Sequence, residues 1–252
     1  MIRDNFKRVS IGIVLASVLA VSANAICITD KYCTNSYVGV GGFYEDISGN
    51  SAEIKNTVGF FAFGASDVFA NRFHYGADLK VGHGSNSLSG SNLSALNSSN
   101  NGLYVDALSK IGVNIATPNS PLFVNFLFGA DCLFLHNGVG RLITYIGAGI
   151  EGKLSMSDKF GLTYSAGYGY GLAGAYLFGK EGVKSLMDNP NHIFMASLGV
   201  QIKMTENTNF YFKGFGKYYD LGSSKSVQVN NQAISMPNAK LWQAGVEAGI
   251  SF

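Results

Sequence analysis

The chain ends with Lys240-Leu-Trp-Gln-Ala-Gly-Val-Glu-Ala-Gly-Ile-Ser-Phe252, and this stretch decides the fold class. Every second residue from Trp242 to Phe252 is apolar, and the residues between them are small or polar. Such alternation is typical of a β-strand with one apolar face. In a membrane, strands of this kind occur only in closed barrels, because closure leaves no backbone group unpaired in hydrocarbon. The stretch predicts the closing strand of a transmembrane barrel; an edge strand of a sandwich is the alternative.

Nine further stretches upstream show strand character, and several repeat this alternation clearly. In the clearest of them, Phe73, Tyr75, Ala77, Leu79 and Val81 alternate with polar or small residues. The predicted strands begin near Asn35, Thr57, Phe73, Leu103, Leu122, Leu142, Phe160, His192, Phe210 and Lys240. The sequence therefore predicts an all-β, closed antiparallel barrel of about ten strands, with eight as the alternative count.

The connections between these strands are predicted to alternate between long and short. Long polar loops are expected over Asp46–Glu53, Gly84–Asn101 and Asp220–Ala239. A fourth long segment, Leu172–Asn191, leaves room for one or two helical turns over Lys180–Met187. Outer-membrane barrels have short periplasmic turns and long external loops, so the pattern predicts that both termini are periplasmic.

Outward aromatic residues are predicted to form two girdles. Phe73, Phe160, Phe210 and Phe252 fall beside short turns or the terminus, whereas Tyr168, Tyr170 and Trp242 fall at the opposite strand ends. Aromatic rings favour the two membrane interfaces. The first group would lie at the periplasmic interface and the second at the external one.

The amino end has the features of a secretory signal peptide. Basic residues precede an apolar run from Val9 to Val21, and Ala23 and Ala25 form an A-x-A cleavage pattern. We therefore predict a signal peptide over residues 1–25 and a single barrel domain over 26–252. Cys27 and Cys33 are close enough for a small disulfide loop, although free thiols are equally compatible with the sequence. Cys132 is expected on an apolar strand face.

Composition excludes several classes of function. Charged residues make up 13% of the chain, against about 25% in soluble domains, and no later stretch is long and apolar enough for a membrane helix. A net charge of +2 gives no reason to expect a nucleic-acid partner. Histidines and cysteines show no metal-ligand spacing, and no cofactor is expected. His192, which follows Asp188 in sequence, is the one candidate for a catalytic base at the barrel rim; we expect no enzymatic activity.

The polar face of the predicted strands carries charges of both signs. In a narrow barrel these groups need partners, so we expect a paired network that fills the lumen and disfavours a general porin. Lys213 and Glu247 are expected to meet, because they lie at similar depth on neighbouring strands. The predicted network consists of Asp78, Lys80, Asp106, Lys110, Asp131, Glu151, Lys153, Lys213, Lys217 and Glu247.

The carboxy-terminal stretch resembles the assembly signal of Gram-negative outer-membrane β-barrel proteins. The residues that carry this resemblance are Phe252 and the apolar residues before it at every second position, with Trp242, Val246, Ile250 and Phe252 as the expected recognition residues. Asn35-Ser-Tyr-Val-Gly-Val-Gly-Gly and Ala248-Gly-Ile-Ser-Phe252 are similar to stretches of the smaller members of the Helicobacter outer-membrane protein family.

These resemblances imply an integral outer-membrane protein with exposed loops and a structural, adhesive or host-interaction role. The expected partners are outer-membrane lipid, lipopolysaccharide, the outer-membrane assembly machinery and a host surface ligand. A narrow passive channel for small solutes is the alternative function, and an enzyme at the rim is a third.

Overall fold

The computed structural model describes residues 27–29, 32–50, 52–70, 72–93, 96–117, 120–188, 191–229 and 231–252, with side chains from Asn35 onward. The predicted signal peptide, residues 1–25, lies outside this part of the chain. No helix in the described ranges is long and apolar enough to cross a membrane. The backbone of Cys27 pairs with that of Cys33, while their side chains lie outside the described set.

Ten long antiparallel strands form one closed barrel, as the sequence predicts. The closing contact joins the last strand to the first long one, where the Phe252 N–H donates to the Ser36 carbonyl at 2.8 Å and the Ser36 N–H donates back at 2.7 Å. The barrel strands are β2 (Tyr32–Gly49), β3 (Ala52–Phe69), β4 (Phe73–Ser89), β5 (Ser99–Asn114), β6 (Leu122–Leu135), β7 (Val139–Ser155), β8 (Phe160–Phe178), β10 (His192–Lys203), β11 (Asn209–Leu221) and β14 (Ala239–Ser251).

Four short strands and one helical turn lie outside the barrel wall. They are β1 (Cys27–Thr29), β9 (Val183–Leu186), β12 (Val227–Val229), β13 (Gln232–Ile234) and a 3₁₀ turn over Ser91–Leu93. We call the end with residues 70, 72, 115–117, 120–121, 156–159, 204–208 and Phe252 the turn end. The opposite end, with residues 50, 90–93, 96–98, 136–138, 179–188, 191, 222–229 and 231–238, is the hairpin end.

The register of the strands fixes the width of the barrel. We start at Asp46 on β2 and step from each residue to its paired residue on the next strand. One full circuit of the barrel ends at Thr34 on β2, twelve residues from the start. For ten strands, this stagger implies a tilt of about 40° and a diameter of about 20 Å between opposite backbones. Long side chains from opposite walls can therefore meet across the lumen.

The outer surface is apolar near the turn end and polar near the hairpin end. Ile111, Trp242 and Phe61 are each more than 60% exposed on the apolar part. On β4 this part runs from Phe73 to Val81, which in a tilted strand spans about 21 Å, slightly less than the height of about 25 Å expected for a lipid-facing band. Beyond it, the outward residues of β2–β4 are polar: Asp46, Ser48, Glu53, Lys55, Ser85, Ser87 and Ser89.

Several connections at the hairpin end are shorter than the sequence suggested. The polar loop predicted over Asp46–Glu53 is wrong, because β2 and β3 stay paired up to Gly49 and Ala52. Outward polar residues led to this error, whereas the inward Ile47 and Ile54 are 2% and 0% exposed. Pairing likewise extends into the loop predicted over 84–101, since β4 continues to Ser89 and β5 begins at Ser99.

The helical turns considered over Lys180–Met187 are also wrong. Gly179 and Gly182 adopt φ angles of +68° and +62°, which glycine reaches at no steric cost. They form a tight turn, after which β9 pairs back onto the last residues of β8. The loop predicted over Asp220–Ala239 contains a second small hairpin, β12–β13.

Arginine substitutions on the outer surface should distinguish the apolar band from the polar surface beyond it. Val246→Arg places a charge on an outward position that is 52% exposed within the band, and should lower the free energy of unfolding in liposomes by about 2–4 kcal/mol. Ser48→Arg, on the outward polar part of β2, should cost at most about 1 kcal/mol. Urea titrations followed by the fluorescence of the single tryptophan, Trp242, measure both values. Equal costs for the two variants would contradict this placement of the band.

Candidate functional site: the luminal ion-pair network

The inner face of the barrel holds equal numbers of positive and negative side chains. Apart from Lys203, which is exposed at the turn-end rim, six basic residues face six carboxylates. The basic residues are Lys80, Lys110, Arg141, Lys153, Lys213 and Lys217, and the acidic ones are Glu45, Asp78, Asp106, Asp131, Glu151 and Glu247. The lumen therefore has no net formal charge, which lowers the cost of burying so many ions.

Arg141 lies at the centre of the cluster nearest the hairpin end. From β7 its Nη1 contacts Glu45 Oε1 on β2, and its Nη2 lies 2.9 Å from Asp131 Oδ1 on β6. The side chains of all three residues are at most 1% exposed. Asn56 Nδ2 donates a further hydrogen bond of 2.6 Å to Glu45. Because β7 and β2 are five strands apart in a ten-stranded barrel, the Arg141–Glu45 pair crosses the lumen.

A second ion pair crosses the lumen beside the first. Lys217 on β11 lies 2.9 Å from Asp106 on β5, again five strands away, and 3.4 Å from Asp131. The hydroxyl of Tyr219 donates to Asp131 at 2.8 Å. Asp131 thus receives hydrogen bonds from an arginine, a lysine and a tyrosine, which links the two crossing pairs into one network.

Glu247 joins two lysines at mid-height. Its carboxylate lies 2.9 Å from Lys213 Nζ and 3.1 Å from Lys80 Nζ, and it accepts a hydrogen bond of 2.9 Å from the Tyr211 hydroxyl. The Lys80 ammonium also lies 3.9 Å from the centre of the Phe215 ring. Cation–π contact of this kind is attractive when the cation is desolvated. Lys80 is therefore held between a carboxylate and an aromatic ring.

A third cluster lies toward the turn end. Lys110 bridges Asp78 at 3.0 Å and Glu151 at 2.8 Å. The Tyr37 hydroxyl donates to Asp78 at 2.9 Å. His74 Nε2 lies 3.3 Å from Glu151, and its Nδ1 lies 3.0 Å from Asn125 Oδ1. Each carboxylate in this cluster has both oxygens in contact with a polar group of the protein.

An apolar cap closes the lumen beyond the Arg141 cluster. Connections at the hairpin end insert apolar side chains against the inward residues of the strands, including Ile54, Ile143 and Tyr219, each fully buried. The cap residues supplied by these connections are Leu93, Leu96, Met187, Val229, Ile234 and Met236, each at most 8% exposed. Side chains thus fill the lumen at two successive levels.

Nine of the ten charged residues predicted for the lumen lie in ion pairs. The exception is Lys153, for which no carboxylate oxygen lies within 4 Å among the described residues. Lys213 and Glu247 meet on paired residues of β11 and β14. Sequence reasoning missed Glu45, which lies beside the loop predicted over Asp46–Glu53, and Arg141, which falls within the loop predicted over His136–Arg141. Phe43, Glu45 and Ile47 lie at every second position. This alternation is the sequence signal that could have identified Glu45 as an inward residue.

The residues considered for chemistry do not assemble into a reactive group. His192 lies on the outward face, 2.7 Å from the Tyr168 hydroxyl. Asp188 accepts a hydrogen bond from Ser223 instead. Among the described residues, no three histidine, cysteine, aspartate or glutamate side chains are arranged to hold a metal ion. Cys132 lies on the apolar outer face of β6 and is a free thiol.

Comparison with known proteins identifies the fold but no family. No protein-family model matches the chain, and no curated protein matches it. Among solved structures, the chain is similar to the outer membrane protease OmpT of Escherichia coli, with a TM-score of 0.52, 9% identity, and coverage of 89% of this chain and 97% of that one. A second match is the translocator domain of the autotransporter NalP of Neisseria meningitidis, at TM-score 0.44 and 11% identity, covering 97% and 95% of the two chains.

A third similar structure is the outer membrane protein OprG of Pseudomonas aeruginosa, with a TM-score of 0.39, 11% identity, and coverage of 88% and 94%. At these identities the likeness concerns the fold alone. The closed, ten-stranded antiparallel barrel of this chain is similar in fold to OmpT, the one of these three structures with a TM-score above 0.5.

Removing the guanidinium that joins the two carboxylates should be strongly destabilising. Arg141→Met leaves Glu45 and Asp131 buried without this partner, and should lower the free energy of unfolding by about 3–5 kcal/mol. Adding Glu45→Gln and Asp131→Asn to the same chain should restore much of the loss, because the repelling charges are then gone. Lys55→Met, at a solvent-exposed pair with Glu53, is the control and should change stability little. Additive losses in the triple variant would contradict a coupled network.

Proposed function

We propose that this chain is an integral outer-membrane protein whose barrel does not serve as an open solute channel. Its role is structural or adhesive, and is carried by the part of the barrel that projects from the membrane. The occupied lumen carries this proposal: ion pairs cross it at the level of Arg141 and Lys217, and the apolar cap covers it at the hairpin end. Hydrated ions and small solutes would have to displace both layers to pass.

The shape of the outer surface supports a projecting hairpin end. Strands of about 9–11 residues suffice to cross a bilayer, yet β2 and β3 contain 18 residues each and β8 contains 19. The extra length lies beyond the apolar band, where outward residues are polar. We infer that the hairpin end lies outside the cell and that the turn end, with Phe252, faces the periplasm, in line with the usual arrangement of short turns.

Aromatic rings between the band and the polar surface support contact with lipid and lipopolysaccharide. Tyr168, Phe194, Tyr218 and Trp242 occupy paired positions on four adjacent strands. Neighbouring ring centres in this row are 5.2, 6.2 and 4.5 Å apart. Amphipathic rings favour a membrane interface, and Trp242 is the member of this tilted row nearest the hairpin end, so we place the outer-leaflet boundary near Trp242. Phe73, Phe160 and Phe210 are outward and exposed near the turn end, as the other girdle requires.

The remaining partners follow from the same proposal. The outward residues Trp242, Val246, Ile250 and Phe252 would be recognised by the outer-membrane assembly machinery, because they line the strand that closes the barrel. A host surface ligand would bind the projecting hairpin end. Membership of the Helicobacter outer-membrane protein family is supported by the resemblance of two stretches, near Asn35 and at the carboxy terminus. We propose no enzymatic role, since His192 is bonded to a tyrosine on the outward face.

A narrow passive channel is the second candidate function. The observation that favours it is a cavity of about 430 Å³ inside the turn-end half of the lumen. For conduction, this cavity would have to connect through the Arg141 cluster and the cap. Both layers are in place, so the geometry supports a barrel closed to solutes better than it supports a passive channel.

Bilayer recordings should separate the two candidates. Purified protein in planar bilayers should give a conductance indistinguishable from that of the bare membrane, because the crossing ion pairs and the cap exclude hydrated ions. Stable single-channel steps from the unaltered protein would overturn the proposal. A variant with Arg141→Ala and Lys217→Ala, and with residues 224–236 replaced by a short Gly-Ser linker, should conduct. The linker is feasible because the Ser224 N–H donates to the Met236 carbonyl at 2.8 Å, so the ends are adjacent.

Cysteine labelling of whole cells should test the orientation. Ser87→Cys lies on the exposed outward face near the hairpin end, and Glu206→Cys lies in an exposed turn at the other end. In a Cys132→Ser background, a membrane-impermeant maleimide should label position 87 in intact cells, and position 206 only after the outer membrane is permeabilised. The parent chain without either new cysteine corrects for Cys27 and Cys33. The reverse pattern would place the termini outside.

A further inference from the structure

The cavity in the turn-end half of the lumen has the size and the opening of a ligand pocket. Its volume of about 430 Å³ lies within the range of about 300–1,000 Å³ that small-molecule sites occupy. It is reached from the turn end beside the exposed Asn35. Leu127 and Met195 line its inner part, where the side chains that fill the barrel begin. The apolar cap lies at the opposite end, so the cavity is open on one side of the barrel.

The carboxylates of this cavity are already saturated. Asp78 accepts from Tyr37 on one oxygen and contacts Lys110 on the other. Glu151 contacts His74 on one oxygen and Lys110 on the other. A cation that entered the cavity would have to compete with Lys110 for both carboxylates. It would also meet three lysines, namely Lys110, Lys153 and Lys213.

The wall formed by β8 and β10 offers hydroxyl groups instead. Among the described inward residues of these two strands at this level, none is acidic. The inward residues of this wall are Gly161, Thr163, Ser165, Gly167, Met195, Ser197, Gly199 and Gln201. Ser165 Oγ and Ser197 Oγ lie 2.7 Å apart, on paired residues in the middle of the wall. Hydroxyl groups can rotate to donate toward a ligand.

An ammonium group flanks this wall on each side. Lys153 on β7 extends across Gly161, since a Cβ at that glycine would lie 2.9 Å from Lys153 Cε. It has no carboxylate within 4 Å among the described residues, unlike every other lysine that lines the cavity. Lys213 on β11 lies on the other side; it is bonded to Glu247, and a quarter of its side chain is exposed.

We propose that this cavity binds a small anion that carries carboxylate or phosphate groups. The Lys153 ammonium supplies the main charge at the turn-end side of the cavity, and the hydroxyl of Thr163, which is paired with Lys153 in register, supplies a hydrogen bond. Charge-assisted hydrogen bonds of this kind are stronger than neutral ones. The inference goes beyond the proposed function and does not rest on it, because a closed barrel and a channel would hold the same cavity.

Calorimetric titration of the full-length barrel in detergent micelles tests the proposal. Citrate and inorganic phosphate serve as the two probes, one for each anionic group, in low-salt buffer. Unaltered protein should bind at least one of them, and Lys153→Gln should weaken that binding at least tenfold. Lys159→Gln makes the same change of charge at an exposed lysine in the adjacent turn, and should change the affinity less than twofold. Lys153→Arg should retain most of the binding.

Three results would overturn the inference. These are no heat of binding from either anion, an unchanged affinity in Lys153→Gln, or an equal loss in the two glutamine variants, which would indicate a diffuse charge effect. Heat-modifiable migration of each variant confirms that the barrel is folded before titration. Affinity for the anion should also fall as the salt concentration rises, because added ions screen the lysine.

Discussion

The contact of Arg141 with Glu45 and Asp131 is the interaction on which the interior of this barrel depends. It joins opposite walls of the barrel, so it fixes the distance between β7 and β2 as well as filling the space between them. A lysine could not replace the arginine equally well, since a planar guanidinium can bond two carboxylates at once with fixed geometry. The Lys217 pairs lie beside it, and the remaining charged pairs in the lumen lie between this level and the turn end.

The width of the barrel explains why such a contact can exist. Ten strands with a stagger of twelve residues give a lumen that two long side chains span when they approach from opposite sides. Wider barrels leave water between the walls, and their charges remain solvated. Here the charges are buried, so each sign must be matched by the other. The equality of six basic and six acidic residues is a consequence of that requirement for the lumen as a whole, although the individual clusters are not each neutral.

Sequence periodicity predicted the wall of the barrel better than its ends. The alternation at Trp242, Val246 and Ile250 depends on the backbone pleat and on the solvent of each face, and both are local properties. At the hairpin end the outward solvent is water, so Asp46 and Lys55 resemble loop residues although their strands continue. Ile47 and Ile54 are the apolar inward residues that could have shown that β2 and β3 continue. The turn between them interrupts the two-residue alternation, so the pattern is not visible in the sequence.

The charged network shows a similar division. Which residues face inward follows from parity, and this placed Asp131, Lys217 and Glu247 on the inner face. Which of them meet across the lumen depends on the stagger of all ten strands, and no single stretch of sequence contains that quantity. Lys213 and Glu247 could be paired in advance because they lie on neighbouring strands. Arg141 and Glu45 could not, because their contact joins residues five strands apart.

The two ends of the lumen differ for a physical reason. Apolar side chains from the long connections can reach the lumen only at the hairpin end, where chain is available to fold back over the opening. Among the residues that the structure describes, the turn end has short connections and no comparable supply of side chains, so a cavity remains beside Lys153 and Ser197. Any molecule that meets the interior of this barrel without unfolding the cap must therefore arrive from the turn end. In this cavity the carboxylates of Asp78 and Glu151 are already paired with Lys110, so the groups left for such a molecule are hydroxyls and the ammonium of Lys153.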